Sequence, residues 1–216
     1  MLIGDPGLDD HNAHKNFALS AQQHANELNV QGNRVIGCRV STVQDFNNAL
    51  TQSGSIDGGM VYYGHSGPHD YYDATGHIYQ SLSILALGQG QGFYTNLEYD
   101  NANLATNSML GVNAAMILKG CNTIAKVAGV FSGQDLYGTS QSAIANVIAR
   151  QIERRVFGYP VGTYFSQVSA QDATTFGWVK GKDPLPQLPM YLIPEGTPAN
   201  KPPLYVCDPV GACRKP

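Results

Sequence analysis

Gly59-Met-Val-Tyr-Tyr-Gly-His65-Ser-Gly67 and Ala114-Ala-Met-Ile-Leu-Lys-Gly-Cys121-Asn-Thr123 decide how this chain reads. Each is a short apolar run bounded by glycine, the pattern of a buried parallel strand. Each also ends on one reactive side chain. In open α/β sheets the carboxyl ends of the strands face the ligand crevice, so the pattern predicts His65 and Cys121 on a common rim. A thiol beside an imidazole supplies a nucleophile and its acid–base partner, the minimum for covalent acyl transfer.

The flanking sequence predicts alternating strands and helices. Leu2-Ile3-Gly4 reads as a very short first strand that breaks at Asp5-Pro6-Gly7. Phe17, Ala18, Ala21, Ala25 and Leu28 recur at helical spacing between His14 and Val30, with Gly32 as the stop. A strand over Arg34–Val40 follows, then a helix capped by Ser41-Thr42 and running to Leu50, with Val43, Phe46 and Leu50 on one face. Beyond His65, Asp73-Ala-Thr-Gly-His77 predicts a hairpin turn, Ser83–Leu87 a short apolar segment, and residues 88–108 loops over the active face. A helix from Ser140 or Ser142 to Arg155 carries the stripe Ile144, Val147, Ile148 and Ile152, and Val156–Phe165 reads as a strand whose proline suggests an edge or an end. Such alternation implies parallel pairing with right-handed crossovers.

The expected organisation is one domain over residues 1–181 and a proline-rich C-terminal extension over 182–216, packed on the domain or trailing from it. Within the extension only Met190–Ile193 and Leu204–Val206 are strand candidates.

At 216 residues, with 43% hydrophobic content, the chain is long enough to bury a substantial core. Only 13% of residues are charged and the formal net charge is -3. Without a Lys/Arg cluster there is no surface to neutralise phosphates, which argues against nucleic acid as a partner. No apolar stretch approaches the roughly 20 residues of a membrane span, and the N-terminus lacks the layout of a signal peptide. The expectation is a cytoplasmic protein or a portion of a longer exported polypeptide, whose upstream part would then be a partner. Cys38 reads as an inert buried thiol. Cys207 and Cys213 are placed either for a small disulfide loop or as free thiols, ahead of an incomplete metal site.

A histidine after one strand and a cysteine after the next, with 55 residues between them, resembles the caspase-like cysteine peptidases: caspases, gingipains, separase, legumain and CHAT domains. The motifs are Val61-Tyr-Tyr-Gly-His65-Ser-Gly67 and Met116-Ile-Leu-Lys-Gly-Cys121-Asn-Thr123. Ser142–Ala149 followed by Val156-Phe-Gly-Tyr-Pro160 is similar to the helix and strand after the catalytic cysteine of bacterial members. The likeness covers roughly residues 1–168 and departs at Ser66, where many members carry glycine. It implies a three-layer α/β sandwich with a mainly parallel central sheet and helices on both faces.

The resemblance also implies a mechanism without cofactor or metal, acting on a protein or peptide substrate. Cys121 would attack the carbonyl, His65 would protonate the departing amine, and backbone N–H groups of Cys121 and of Ser66 or Gly67 would hold the oxyanion. In several members the residue two before the cysteine lines the pocket for the side chain preceding the cut. Here it is Lys119, so an acidic side chain is expected there, with Arg39 assisting from a neighbouring strand end. An effector, toxin or self-processing domain of a larger bacterial protein would fit this reading. Two other functions compete: a caspase-like binding module with an idle dyad, and a metal-dependent hydrolase. The latter would draw on His65, His69, Asp70 and Asp73, which lack an HExxH helix. His11 and His14 beside Asp9 and Asp10 read as a helix-capping surface, and Asp70 or Asp73 as solvated loop acids rather than partners of His65. Gly88-Gln-Gly-Gln-Gly92 lacks the lysine of a P-loop and reads as a flap.

Overall fold

The structure, a computed structural model, describes residues 2–4, 11–52, 54–72, 74–76, 78–88, 91–94, 110–124, 143–166, 191–194 and 204–216. In chain order the elements are β1 (Leu2–Gly4), α1 (His11–Val30), β2 (Cys38–Val40), α2 (Val43–Gln52), β3 (Met60–Tyr63), β4 (Ser66–Tyr72) and β5 (Ile78–Gly88). Then come β6 (Gln91–Tyr94), β7 (Met116–Lys119), α3 (Ile144–Ile152), β8 (Val156–Gly158), β9 (Thr163–Ser166), β10 (Tyr191–Pro194) and β11 (Tyr205–Cys207). The architecture is mixed α/β around a mainly parallel sheet of order β11-β8-β7-β3-β1-β2, in which only β11 is antiparallel to its neighbour.

The two apolar runs become β3 and β7, adjacent and parallel, with Met60 opposite Met116 and Tyr63 opposite Lys119. Their side chains serve two cores because successive residues point to opposite faces. On one face Met60, Tyr62, Met116 and Leu118 pack with Phe46 and Leu50 of α2 and Ile144, Ile148 and Ile152 of α3. On the other, Val61, Tyr63 and Ile117 meet Phe17 and Ala21 of α1, with Leu192 and Phe165 closing the cluster.

Chain leaving β3 passes through Gly64 and His65 into β4, the first strand of a separate antiparallel sheet β4-β5-β6. Two bonds fasten that sheet to the end of β3: the Tyr62 hydroxyl donates to the Ala86 carbonyl, and the Ala86 N–H donates to the His65 carbonyl at 2.9 Å. Phe93 of β6 packs edge-on against Phe46 of α2, at 5.0 Å between ring centroids. The Tyr62 phenol, wholly buried, is held far from ionisation by desolvation.

The capping signal at Ser41-Thr42 is realised as a reciprocal box. The Thr42 hydroxyl accepts from the Asp45 N–H at 3.0 Å, and the Asp45 carboxylate accepts from the N–H groups of Ser41 and Thr42 at 3.1 and 3.0 Å. The expected hairpin turn is also present, with Gly76 at φ 83° between β4 and β5.

Several boundaries differ from the sequence reading. The strand expected over Arg34–Val40 pairs only over Cys38–Val40, because its partner β1 is three residues long and Leu2 already lies opposite Cys38. The single strand expected over Val156–Phe165 splits around Pro160: β8 stays in the parallel sheet while β9 pairs antiparallel with β10 elsewhere. The short segment Ser83–Leu87 is the end of an eleven-residue strand, and residues 91–94, expected as loop, form its partner β6. α3 starts at Ile144 and ends at Ile152, with Glu153 in the left-handed region at φ 52°; Ser140 and Ser142 lie outside the described residues. Both strands of the 182–216 extension are built into sheets, β10 against β9 and β11 against β8. Cys207 and Cys213 form a disulfide. Among the described residues no helix is long and apolar enough to cross a membrane.

The capping box carries a measurable share of stability. Thr42→Ala is expected to cost about 1 kcal/mol in chemical denaturation at neutral pH. The Ser41 N–H, then the Thr42 hydroxyl, hold the Asp45 carboxyl below its ordinary range. Its contribution is therefore present above the unfolded carboxylate pKa and fades as pH falls through the depressed folded value. Asp45→Asn should flatten that acid limb of the stability curve.

Candidate active site

The site lies at the carboxyl ends of β3 and β7, where two glycines bring the chains together. A Cβ on Gly120 would stand 2.6 Å from the Gly64 carbonyl oxygen and against the Ser66 hydroxyl. A Cβ on Gly64 would run into the Tyr62 phenol. The Ser66 hydroxyl then donates to the Cys121 carbonyl at 2.6 Å, and the Gly64 N–H reaches the Lys119 carbonyl at 3.4 Å. With Tyr63 and Lys119 in register, His65 and Cys121 follow two residues later on the same rim, their backbones on the order of one to two strand spacings apart (~5–10 Å).

Contacts with other elements fix the face. The Phe17 ring of α1 meets His65 edge-on at 5.1 Å and Phe165 of β9 at 4.9 Å. From β9, Thr163 reaches the Cys121 sulfur: its N–H donates to Sγ at 3.2 Å and its hydroxyl lies 3.3 Å away. Imidazole and sulfur thus both lie on the α1/β9 side of the main sheet, each half-buried.

The cysteine loop is held by the turn between β8 and β9. Asn122 N–H donates to the Val161 carbonyl at 2.8 Å, Ile124 N–H to the Tyr159 carbonyl at 3.1 Å, and the Tyr159 N–H to the Thr123 hydroxyl at 2.9 Å. Thr123 is fully buried, and its carbonyl accepts the Ala145 N–H in the first turn of α3 at 3.1 Å. Asn122 occupies the left-handed region at φ 53°, a conformation that asparagine tolerates better than most residues and that its surroundings enforce.

Two amides are available for an oxyanion. The Cys121 N–H has no acceptor among the described residues. Because the His65–Ser66 peptide is trans, the Ser66 N–H points opposite to the His65 carbonyl, away from β5. Gly67 adopts φ 139°, closed to most L-residues, with room for a Cβ only 3.8 Å from the Cys121 carbonyl and from the Asn122 amide.

Lys119 precedes Cys121 by two residues on the same face. Its ammonium donates to the Tyr159 hydroxyl at 3.2 Å, and no carboxylate among the described residues pairs with it. Beside it the Tyr63 hydroxyl, kept protonated by burial, bonds His24 Nδ1 at 2.8 Å. Burial first, and Lys119 second, lower the His24 pKa, which favours its neutral imidazole. Arg39 sits in register with Ile3, and through it with Tyr63 and Lys119. It occupies edge strand β2, three strand spacings (~14 Å) from Lys119, so the structure does not bring the two cations together.

Thr163, Tyr159 and Phe17 have no local signature in the sequence: each reaches the site through tertiary packing. Among the described residues no group of three His, Cys, Asp or Glu side chains is placed to hold a metal ion. Asp9, Asp10 and Asp73 lie outside the described residues, as do Gln89 and Gly90 of the expected flap, and the side chains of His11, His14, His69 and Asp70 are not described. Cys38 is a free, half-buried thiol against the α2/α3 core. A cleft of about 520 Å³ opens at the opposite, amino-terminal edge of the sheet, between Leu28, Arg34, Cys38, Asp57 and Gly59, remote from the dyad.

Gly120→Ala is expected to push the two strand ends apart and to lower stability by about 1–3 kcal/mol in thermal or chemical unfolding. Ser66→Ala, which removes one bond and adds no bulk, should cost about 1 kcal/mol. Equal effects of the two substitutions would contradict the close approach.

Comparison with family models, with curated proteins and with solved structures finds no match to this chain.

Proposed function

We propose that this chain is a cysteine endopeptidase acting through His65 and Cys121, on the three-layer α/β arrangement that caspase-like peptidases share. The observation that supports it is the convergence of one thiol and one imidazole on the same face, at the carboxyl ends of adjacent parallel strands. Ligands bind at that edge in open α/β sheets.

In this reading the Cys121 thiolate attacks the peptide carbonyl carbon, forming a C–S bond and a tetrahedral oxyanion. The amides of Cys121 and of Ser66 or Gly67 stabilise that charge. Collapse breaks the C–N bond while the His65 imidazolium gives its proton to the departing amine. Water, deprotonated by His65, then hydrolyses the thioester and restores the thiol. No cofactor takes part.

Lys119 gives the reading its substrate preference. It is a cation one strand step below the sulfur whose partner, Tyr159, is a neutral hydroxyl. An acidic side chain preceding the scissile bond would supply the missing counter-charge. Arg39, at the far edge of the sheet, contributes only where the substrate extends across the row. An effector or self-processing role within a larger polypeptide is compatible with this chemistry.

Incubation with a proteome-derived peptide library, with new termini read by mass spectrometry, tests the proposal. Cys121→Ala and His65→Ala are each expected to lower the cleavage rate by ~10³-fold or more. Lys119→Met should abolish any acidic preference before the cut and leave cleavage itself in place. Cleavage that persists in Cys121→Ala, or an absence of cleavage by the wild-type chain, would overturn the assignment.

A further inference from the structure

We infer that Thr163 is a positioning residue built for the ionised form of Cys121, presenting its backbone N–H and its hydroxyl to the sulfur. The inference rests on the reading of Cys121 as the nucleophile, and it adds a residue that neither the paired motifs nor the dyad includes.

The geometry at the start of β9 carries it. The Thr163 N–H points at Sγ with an N···S separation of 3.2 Å, and Oγ1 stands 3.3 Å from the same atom. The third polar atom of the residue, its carbonyl oxygen, lies 3.6 Å from Sγ. As a thiol, Cys121 donates its S–H to that carbonyl or to Oγ1. As a thiolate it has only lone pairs, and the N–H and the rotated hydroxyl both donate to it. The N–H donates to either form, whereas the hydroxyl can turn from acceptor to donor once the S–H proton has left, and hydrogen bonds to a charged sulfur are the stronger ones.

Thr163 opens β9 opposite Pro194 of β10. Its own amide is directed away from the ladder, into the sulfur. β9 thus begins with a residue whose backbone donor is satisfied by Cys121 rather than by a strand. The segment is fixed close by, because Val161 accepts the Asn122 N–H and Phe165 packs on Phe17.

The elements around this face also carry titratable groups: His65 beyond β3, Lys119 on β7, Tyr63 on β3, Tyr159 before β9, Tyr191 on β10 and His24 on α1. A substitution of Thr163 leaves all of them in place, so a comparison among Thr163 variants isolates its hydroxyl.

The test is the pH profile of Cys121 alkylation by iodoacetamide, localised by mass spectrometry in a Cys38→Ser background with the Cys207–Cys213 disulfide intact. Thr163→Val, nearly isosteric, is expected to raise the midpoint by about one unit, and so to slow alkylation about tenfold at pH values below it. Thr163→Ser should keep the wild-type midpoint. If circular dichroism shows the valine chain misfolded, Thr163→Ala against Thr163→Ser makes the same comparison. An unchanged midpoint in the variant lacking the hydroxyl, or a serine variant shifted as far as valine, overturns the inference. The readout needs no substrate: a shifted midpoint without cleavage of any peptide would remove proteolysis and keep Thr163, and cleavage with an unshifted midpoint would do the reverse.

Discussion

Gly64 and Gly120 allow the chains leaving β3 and β7 to pass closer than a side chain at either position would permit, and Ser66 locks the contact by donating to the Cys121 carbonyl. Everything proposed for this protein depends on that approach. Parallel strands diverge with the twist of the sheet, and loops at their ends usually splay outward. Here the two chains are still in contact one residue beyond the last ladder pair, so His65 and Cys121 emerge side by side. Burying Tyr62 beneath Gly64, with its hydroxyl committed to Ala86, gives β4 its direction into the second sheet and leaves His65 at the corner between the sheets.

The surroundings divide the labour. The turn between β8 and β9 holds the cysteine loop through backbone bonds to Asn122, Ile124 and the Thr123 hydroxyl, and α3 takes up the Thr123 carbonyl. α1 contributes a Phe17 ring packed edge-on against the imidazole. One step further into the same face a polar row, His24, Tyr63, Lys119 and Tyr159, replaces the apolar packing found elsewhere in the sheet. Burial keeps the Tyr63 hydroxyl protonated and lowers the His24 pKa.

Much of this was legible in the sequence where local signals and tertiary demands agree. Glycine-bounded apolar runs predict β3 and β7 because strands buried on both faces need no alternation, and the capping signal at Thr42 with Asp45 three residues later works through short-range bonds alone. Legibility failed where pairing partners decide. Arg34–Gly37 reads as strand but lies outside the β1–β2 ladder, whose β1 partner is only three residues long, and Val156–Phe165 reads as one strand although its halves join different sheets. Of the candidate site, His65 and Cys121 were readable from their places at the ends of glycine-bounded apolar runs, and Lys119 only through the likeness to caspase-like peptidases. Thr163 was not: its approach to the sulfur depends on the turn through Pro160 and on a partner strand some thirty residues later in the chain. Arg39 looked like a neighbour because strand ends cluster, but the strand order sets β1 and β3 between it and β7.

A cross-link reads the proximity of His65 and Cys121 directly. In a Cys38→Ser background with the disulfide oxidised, His65→Cys paired with the native Cys121 is treated with a short bifunctional thiol reagent, and the linked peptide is quantified by mass spectrometry. Arg39→Cys in the same background serves as the distant control. Rapid intramolecular linkage of positions 65 and 121 is expected, and none between 39 and 121. Linkage at neither position, or equal linkage at both, would contradict a shared rim for the imidazole and the sulfur.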